Sequence, residues 1–147
     1  MQYGICPLSI VPLRAEPKNA SEQTSQLLYG EFFTIVELQK SWSKIQNESD
    51  GYEGWINNKH FQFIEKSIFQ KLQATKKRYA AELVDFIWKD DDILFPTPIG
   101  SLVSSAQILG HRFEGKELFE PQSKTNLVNT ALHYLNSPYL WGGKSPF

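Results

Sequence analysis

The chain has one cysteine and one methionine in 147 residues, and it lacks an excess of either charge, with 15 Lys and Arg against 16 Asp and Glu. A single cysteine, Cys6, excludes an internal disulfide and any cysteine-based metal site. A net charge of -1 supplies no field to attract a polyanion, so neither nucleic acid nor an anionic membrane is expected as a partner. No window approaches the ~18 apolar residues of a membrane span. Pro7 and Pro12 break the one apolar stretch near the N-terminus, and no basic segment precedes it. The chain as given therefore reads as cytoplasmic. His60, His111 and His133 have no Cys or Asp in a triad-like context, and His133 is expected on the surface. Asp90-Asp91-Asp92 lacks the alternating oxygen ligands of a calcium loop, because Ile93, Leu94 and Phe95 follow, and reads as a hairpin turn. No motif implies a cofactor or a metal.

Aromatic residues are abundant, at 14%, within 41% hydrophobic residues, enough for a substantial core. Residues 1–65 alternate strand and turn signals. Tyr3 to Leu13 reads as an opening strand that buries Cys6 as a small hydrophobe, and Ala15–Ser25 as a polar loop. Phe32–Leu38 is β-branched and aromatic, and Trp42–Gln46 alternates apolar with polar. Asp50-Gly51 is a hairpin signal, with Tyr52–Asn57 as the returning strand and Trp42 and Trp55 expected in the core. The spacing predicts a small barrel. Ser67 and Gln70 have capping-box spacing for a helix over 68–76, and Lys76-Lys77-Arg78 reads as a solvated linker. Strands are predicted over Tyr79–Lys89, Ile93–Phe95 and within Ile108–Lys116, with Pro96–Ser101 as a rigid loop. Leu127, Val128, Ala131, Leu132 and Leu135 share one face of a helix over 124–136, with Ser123 as N-cap and Pro138 as stop.

Three separated motifs give this pattern a family. Arg14-Ala15-Glu16-Pro17, Ser21 through Glu31 (SEQTSQLLYGE) and Asp50-Gly51-Tyr52-Glu53-Gly54-Trp55 resemble the N-terminal bacterial SH3-like domain of γ-D-glutamyl-L-diamino-acid endopeptidases, the dipeptidyl-peptidase VI type. Pro138-Tyr139-Leu140-Trp141-Gly142-Gly143-Lys144-Ser145-Pro146-Phe147 resembles the run that leads into the active-site helix of NlpC-type cysteine peptidases. The resemblance implies a mainly β protein with four parts. These are a bacterial SH3-like barrel over 1–65, a linker with a short helix over 66–77, a second irregular SH3-like unit over 78–120, and the start of a truncated papain-like peptidase domain over 123–147.

That family hydrolyses murein peptides beginning L-Ala-γ-D-Glu-diamino acid with a papain-like Cys and His, as in cell-wall peptide recycling. Its first SH3-like domain caps the active-site cleft and binds the L-Ala amine. The resemblance places Glu22 at the amine-binding carboxylate, Tyr52 at the tyrosine whose hydroxyl joins it, and Trp141 at a groove-lining aromatic. A desolvated ammonium requires such acceptors. By the same pattern the nucleophilic cysteine would follow Phe147, so the chain is expected to be inactive alone, with no catalytic residue of its own. A murein-derived peptide is the implied partner, and the C-terminal segment is a candidate for self-association or an exposed tail. Two other readings stay open: a stand-alone SH3-like module that binds cell-wall peptide or protein, and a generic β-barrel interaction domain.

Overall fold

A computed structural model describes residues 1–119 and 124–146. Its strands are β1 (Gln2–Ile5), β2 (Ile10–Arg14), β3 (Gln23–Leu28), β4 (Phe32–Leu38), β5 (Trp42–Asn47), β6 (Glu53–Asn57) and β7 (Gln62–Ile64), then β8 (Arg78–Ala80), β9 (Val84–Asp90), β10 (Ile93–Pro98), β11 (Arg112–Phe113) and β12 (Glu117–Phe119). Helix α1 (Lys66–Ala74) joins the two sets, and α2 (Lys124–His133) follows them.

The first seven strands form one antiparallel sheet in the order β3-β2-β6-β5-β4-β1-β7. It wraps around Cys6, Val11, Leu13, Leu27, Phe33, Ile35, Ile45, Ile56 and Phe61. The period-2 rule selects the inward set: Ser43, Ile45 and Asn47 are buried along β5, and Gly54 and Ile56 along β6. Trp42 and Trp55 fall on the opposite face and are half-buried, so the expectation that they are core residues is corrected. The predicted opening strand is two strands, β1 and β2, separated by the bend that carries Cys6 to Ser9. Pro12 lies inside β2 opposite Gln26, with no ladder bond of its own to donate toward β6. The loop expected to reach Ser25 ends at Glu22, because Ser25 and Gln23 pair with Leu13 and Arg14 of β2, with Thr24 at an irregularity between them.

Helix α1 starts at Lys66, with Glu65 as N-cap and no side-chain capping bond. The capping box is thus not formed, and the Ser67 hydroxyl donates to Glu65 Oε2 (3.4 Å). The helix lays Phe69 and Leu72 on the outer face of β1 and β4, where Tyr3 stacks on Phe69 at 4.2 Å between ring centres. The basic residues after it are a solvated linker only in part: Lys76 is exposed, but Lys77 and Arg78 are half-buried. Lys77 Nζ lies 4.6 Å from the Phe32 ring centre and donates to Leu72 O at 2.6 Å. Lys76 sits over Phe119, and Arg78 Nη1 donates to both oxygens of Glu117 at 2.8 and 3.0 Å.

The second unit is an irregular pair of small sheets, β10-β9-β11 and β12-β8. Asp91 and Asp92 turn the β9–β10 hairpin as expected, but Pro96-Thr97-Pro98 continue β10 instead of forming a loop. Both prolines are tolerated because β10 is an edge strand. The strand predicted within 108–116 shrinks to Arg112–Phe113, and the one over 79–89 divides into β8 and β9. The core of this unit holds Ala80, Ile87, Val103 and Ala106, and also Tyr29 from the barrel. Leu102 N–H donates to Tyr29 O (2.8 Å), and the Ser105 hydroxyl to Gly30 O (2.9 Å).

Helix α2 ends three residues earlier than predicted and continues as turns to Ser137, with Asn136 at a φ of 70°. Its proposed cap, Ser123, lies outside the described residues. One flank borders β8 and β12 along Ala81, Lys116 and Leu118, in a shallow groove. The apolar stripe itself, Leu127, Val128, Leu132 and Leu135, stays exposed. No helix among the described residues is long and apolar enough to cross a membrane.

Candidate functional site

Strand β3 is outermost in its sheet, so one of its edges lacks a strand partner. Its start is fixed by the loop before it. Arg14 Nη1 donates to Ser21 O (3.0 Å), Ser21 Oγ accepts from Glu16 N (2.9 Å), and Ala15 N donates to Glu22 O (3.0 Å). These bonds close the loop ends and leave Glu22 exposed just before β3.

The turn between β5 and β6 faces the same stretch. Gly51, at a φ of 69°, lets the chain reverse, and Gly51 N donates to Asn47 O at 2.9 Å. Asp50 Oδ1 accepts from Tyr52 N at 3.0 Å, which fixes the direction of Tyr52. The Tyr52 hydroxyl then donates to Thr24 O at 3.3 Å. With its proton committed there, the phenolic oxygen offers only acceptor capacity outward, the polarity an ammonium needs.

Trp141 arrives from the far end of the chain. Gln23 Nε2 donates to Trp141 O (3.1 Å), and Lys144 N donates to Gln26 Oε1 (2.7 Å). Trp141 remains 62% exposed. The exposed tail that the sequence suggests is therefore corrected in part: the rings face solvent while the backbone is seated on β3. All three residues named from the sequence meet one short stretch. Glu22 precedes Gln23, Tyr52 bonds Thr24, and Trp141 bonds Gln23.

Sequence reasoning missed a second cluster behind this edge. Glu31 is almost enclosed, with its side chain 11% exposed. Its Oε2 accepts from Leu28 N (2.7 Å), and its Oε1 from Asn47 Nδ2 (3.2 Å), Ser49 Oγ (3.3 Å) and Lys144 Nζ (3.0 Å). Asp50 Oδ2 lies 3.7 Å from the same ammonium. The one local hint was an acid directly after Gly30 in an otherwise apolar turn.

Cys6 offers no chemistry. It is fully buried, its thiol donates to Leu8 O (3.4 Å), and burial pushes its pKa up to about 12. His111 Nδ1 is 3.0 Å from the hydroxyl of the enclosed Tyr29, and partial burial followed by the Lys89 charge lowers its pKa. His60 is half-buried, and His133 is exposed as expected. Among the described residues no three His, Cys, Asp or Glu side chains are grouped so as to hold a metal ion.

Residues 13–61 match the model of the bacterial dipeptidyl-peptidase SH3 domain. The chain is 30% identical to dipeptidyl-peptidase 6 of Lysinibacillus sphaericus over 168 aligned residues, spanning 91% of this chain and 60% of that protein's length. Its fold is similar to the crystal structure of an NlpC/P60 family protein from Bacillus cereus ATCC 10987. The TM-score is 0.72 at 13% identity, over 99% of this chain and 67% of that one.

Proposed function

Because residues 13–61 are an SH3 domain of the bacterial dipeptidyl-peptidase kind, we propose that this chain is the substrate-recognition region of a murein-peptide cysteine endopeptidase. The substrate class is L-Ala-γ-D-Glu-diamino acid peptides with a free amine. Glu22 supplies the carboxylate and the Tyr52 oxygen the second acceptor for that amine, and Trp141 lines the groove beyond them. The observation that carries this reading is that the Trp141 carbonyl and the Tyr52 hydroxyl bond Gln23 and Thr24, the two residues that follow Glu22. Cys6 takes no part, since it is sealed in the barrel. Nucleophile and base belong to the catalytic core of such a peptidase.

At a solvated edge a single charge pair contributes only about 0–1 kcal/mol. The chain as given should accordingly bind L-Ala-γ-D-Glu too weakly to measure. The amine site gains strength when a catalytic core excludes water from it. The test compares cleavage of free-amine and N-acetylated peptides by a protein carrying this chain together with a peptidase core. Losing a charge-assisted bond costs about 1.5–3 kcal/mol. Glu22→Ala should therefore reduce kcat/KM on the free-amine peptide ~10- to 100-fold while leaving the acetylated peptide little changed. An undiminished preference for the free amine in Glu22→Ala would sink the assignment.

A further inference from the structure

The C-terminal run lies against β3, held by barrel side chains that the amine site does not use. Gln26 is buried, at 5% exposure, and its amide oxygen is taken by Lys144 N. A buried amide needs such a partner. Glu31 already accepts three barrel donors in a nearly closed position. The Lys144 ammonium reaches both its oxygens, at 3.0 and 3.4 Å. Between these anchors and Trp141, the chain passes over the β3 backbone at Gly142. A Cβ there would lie 2.8 Å from Thr24 C and 2.9 Å from Gln23 O, and Gly142 has a φ of 68°. Any side chain would lift the segment off the strand and strain its backbone.

We propose that Gly142 and Lys144 form a clip that keys the Trp-Gly-Gly segment into the barrel and so positions Trp141 beside the Glu22–Tyr52 end of β3. Lys144 is a positioning residue, and Gln26 and Glu31 are its receptor. Asp50 couples the clip to the amine site, because one of its oxygens orients Tyr52 while the other faces the Lys144 ammonium. The role assigned to Trp141 rests on the function proposed above, but the clip is testable without any peptide. Failure of peptide recognition therefore leaves it standing.

At 16.9 kDa the chain suits solution NMR. Nuclear Overhauser contacts between residues 141–144 and 23–26, amide-exchange protection of Lys144, and order parameters of the Trp141 indole would be recorded for the unaltered chain, Lys144→Met, Lys144→Arg and Gly142→Ala. Losing the ammonium should lower Lys144 amide protection by about tenfold or more, as removal of a charge-assisted bond implies. Lys144→Met and Gly142→Ala should lose the contacts and free the indole while the β4–β5 contacts persist, with Tm lowered by only roughly 3–6 °C, and Lys144→Arg should restore them. Contacts that persist in Lys144→Met, or that are absent from the unaltered chain, would overturn the clip.

Discussion

Gly30 and Gly51 both adopt left-handed backbone, with φ of 79° and 69°, yet they should respond very differently to an added methyl. A Cβ on Gly51 meets nothing within 4 Å. Gly51→Ala thus reports the conformational cost alone, about 1–2 kcal/mol. A Cβ on Gly30 would stand 2.1 Å from the backbone oxygen of Leu102, and approaches under 3.0 Å essentially do not occur. Backbone cannot rotate aside as a side chain can, so Leu102 or the Tyr29–Gly30 turn must move by about 1 Å in a close-packed region. That movement disturbs the Leu102-to-Tyr29 and Ser105-to-Gly30 hydrogen bonds, at 2.8 and 2.9 Å. A buried polar group left unsatisfied costs ~1–3 kcal/mol. Gly30→Ala should therefore lose ~3–6 kcal/mol, and for a chain of this size each kcal/mol moves Tm by roughly 2–4 °C. Urea and thermal unfolding followed by far-UV circular dichroism would read both variants. If the two glycine variants fall within ~1 kcal/mol of each other, the tight Gly30–Leu102 approach is not a structural constraint and the argument is wrong.

Two further outcomes follow from burial. The Cys6 thiol ionises near 9.0 when unfolded and is pushed up to about 12 when folded. Its contribution is complete below pH 9 and is lost as pH rises toward 12, with a slope of at most ~1.4 kcal/mol per pH unit. Urea midpoints at neutral and alkaline pH should show this decline in the unaltered chain and a shallower one in Cys6→Ser. Leu127 and Leu132 are 70% and 60% exposed. Changing both to Ser should alter unfolding stability by no more than ~0.5 kcal/mol per site. A larger loss in a denaturation curve would mean that the α2 stripe is covered in solution.

The strands β4, β5 and β6 were legible because their signals are local: aromatic and β-branched runs, alternation, and Asp50-Gly51 between them. Strand β3 was not, because Thr24, Ser25 and Gln26 have the composition of a loop and become strand only through pairing with β2. The prolines of β10 misled for a related reason, since only its edge position makes them tolerable. The periodicity of α2 was readable, but what would cover its stripe is not written in that periodicity. Glu22, Tyr52 and Trp141 came from family resemblance, not from spacing. The Glu31–Lys144 pair joins residues 113 apart in sequence, a separation at which local patterns carry no information.

Tyr29 belongs by sequence to the barrel, yet its ring is enclosed by Ala80, Ile87, Val103 and Ala106 of the second unit. Phe32 likewise faces α1 and Leu102 instead of the barrel interior. A gene fragment cut after residue 65 would leave both rings in water, together with the Leu28–Glu31 turn that the second unit braces. The two β units are in this respect a single heritable cassette. Grafting the barrel alone onto another protein would carry a sticky patch along with the recognition edge, whereas residues 1–119 moved together would keep that patch sealed.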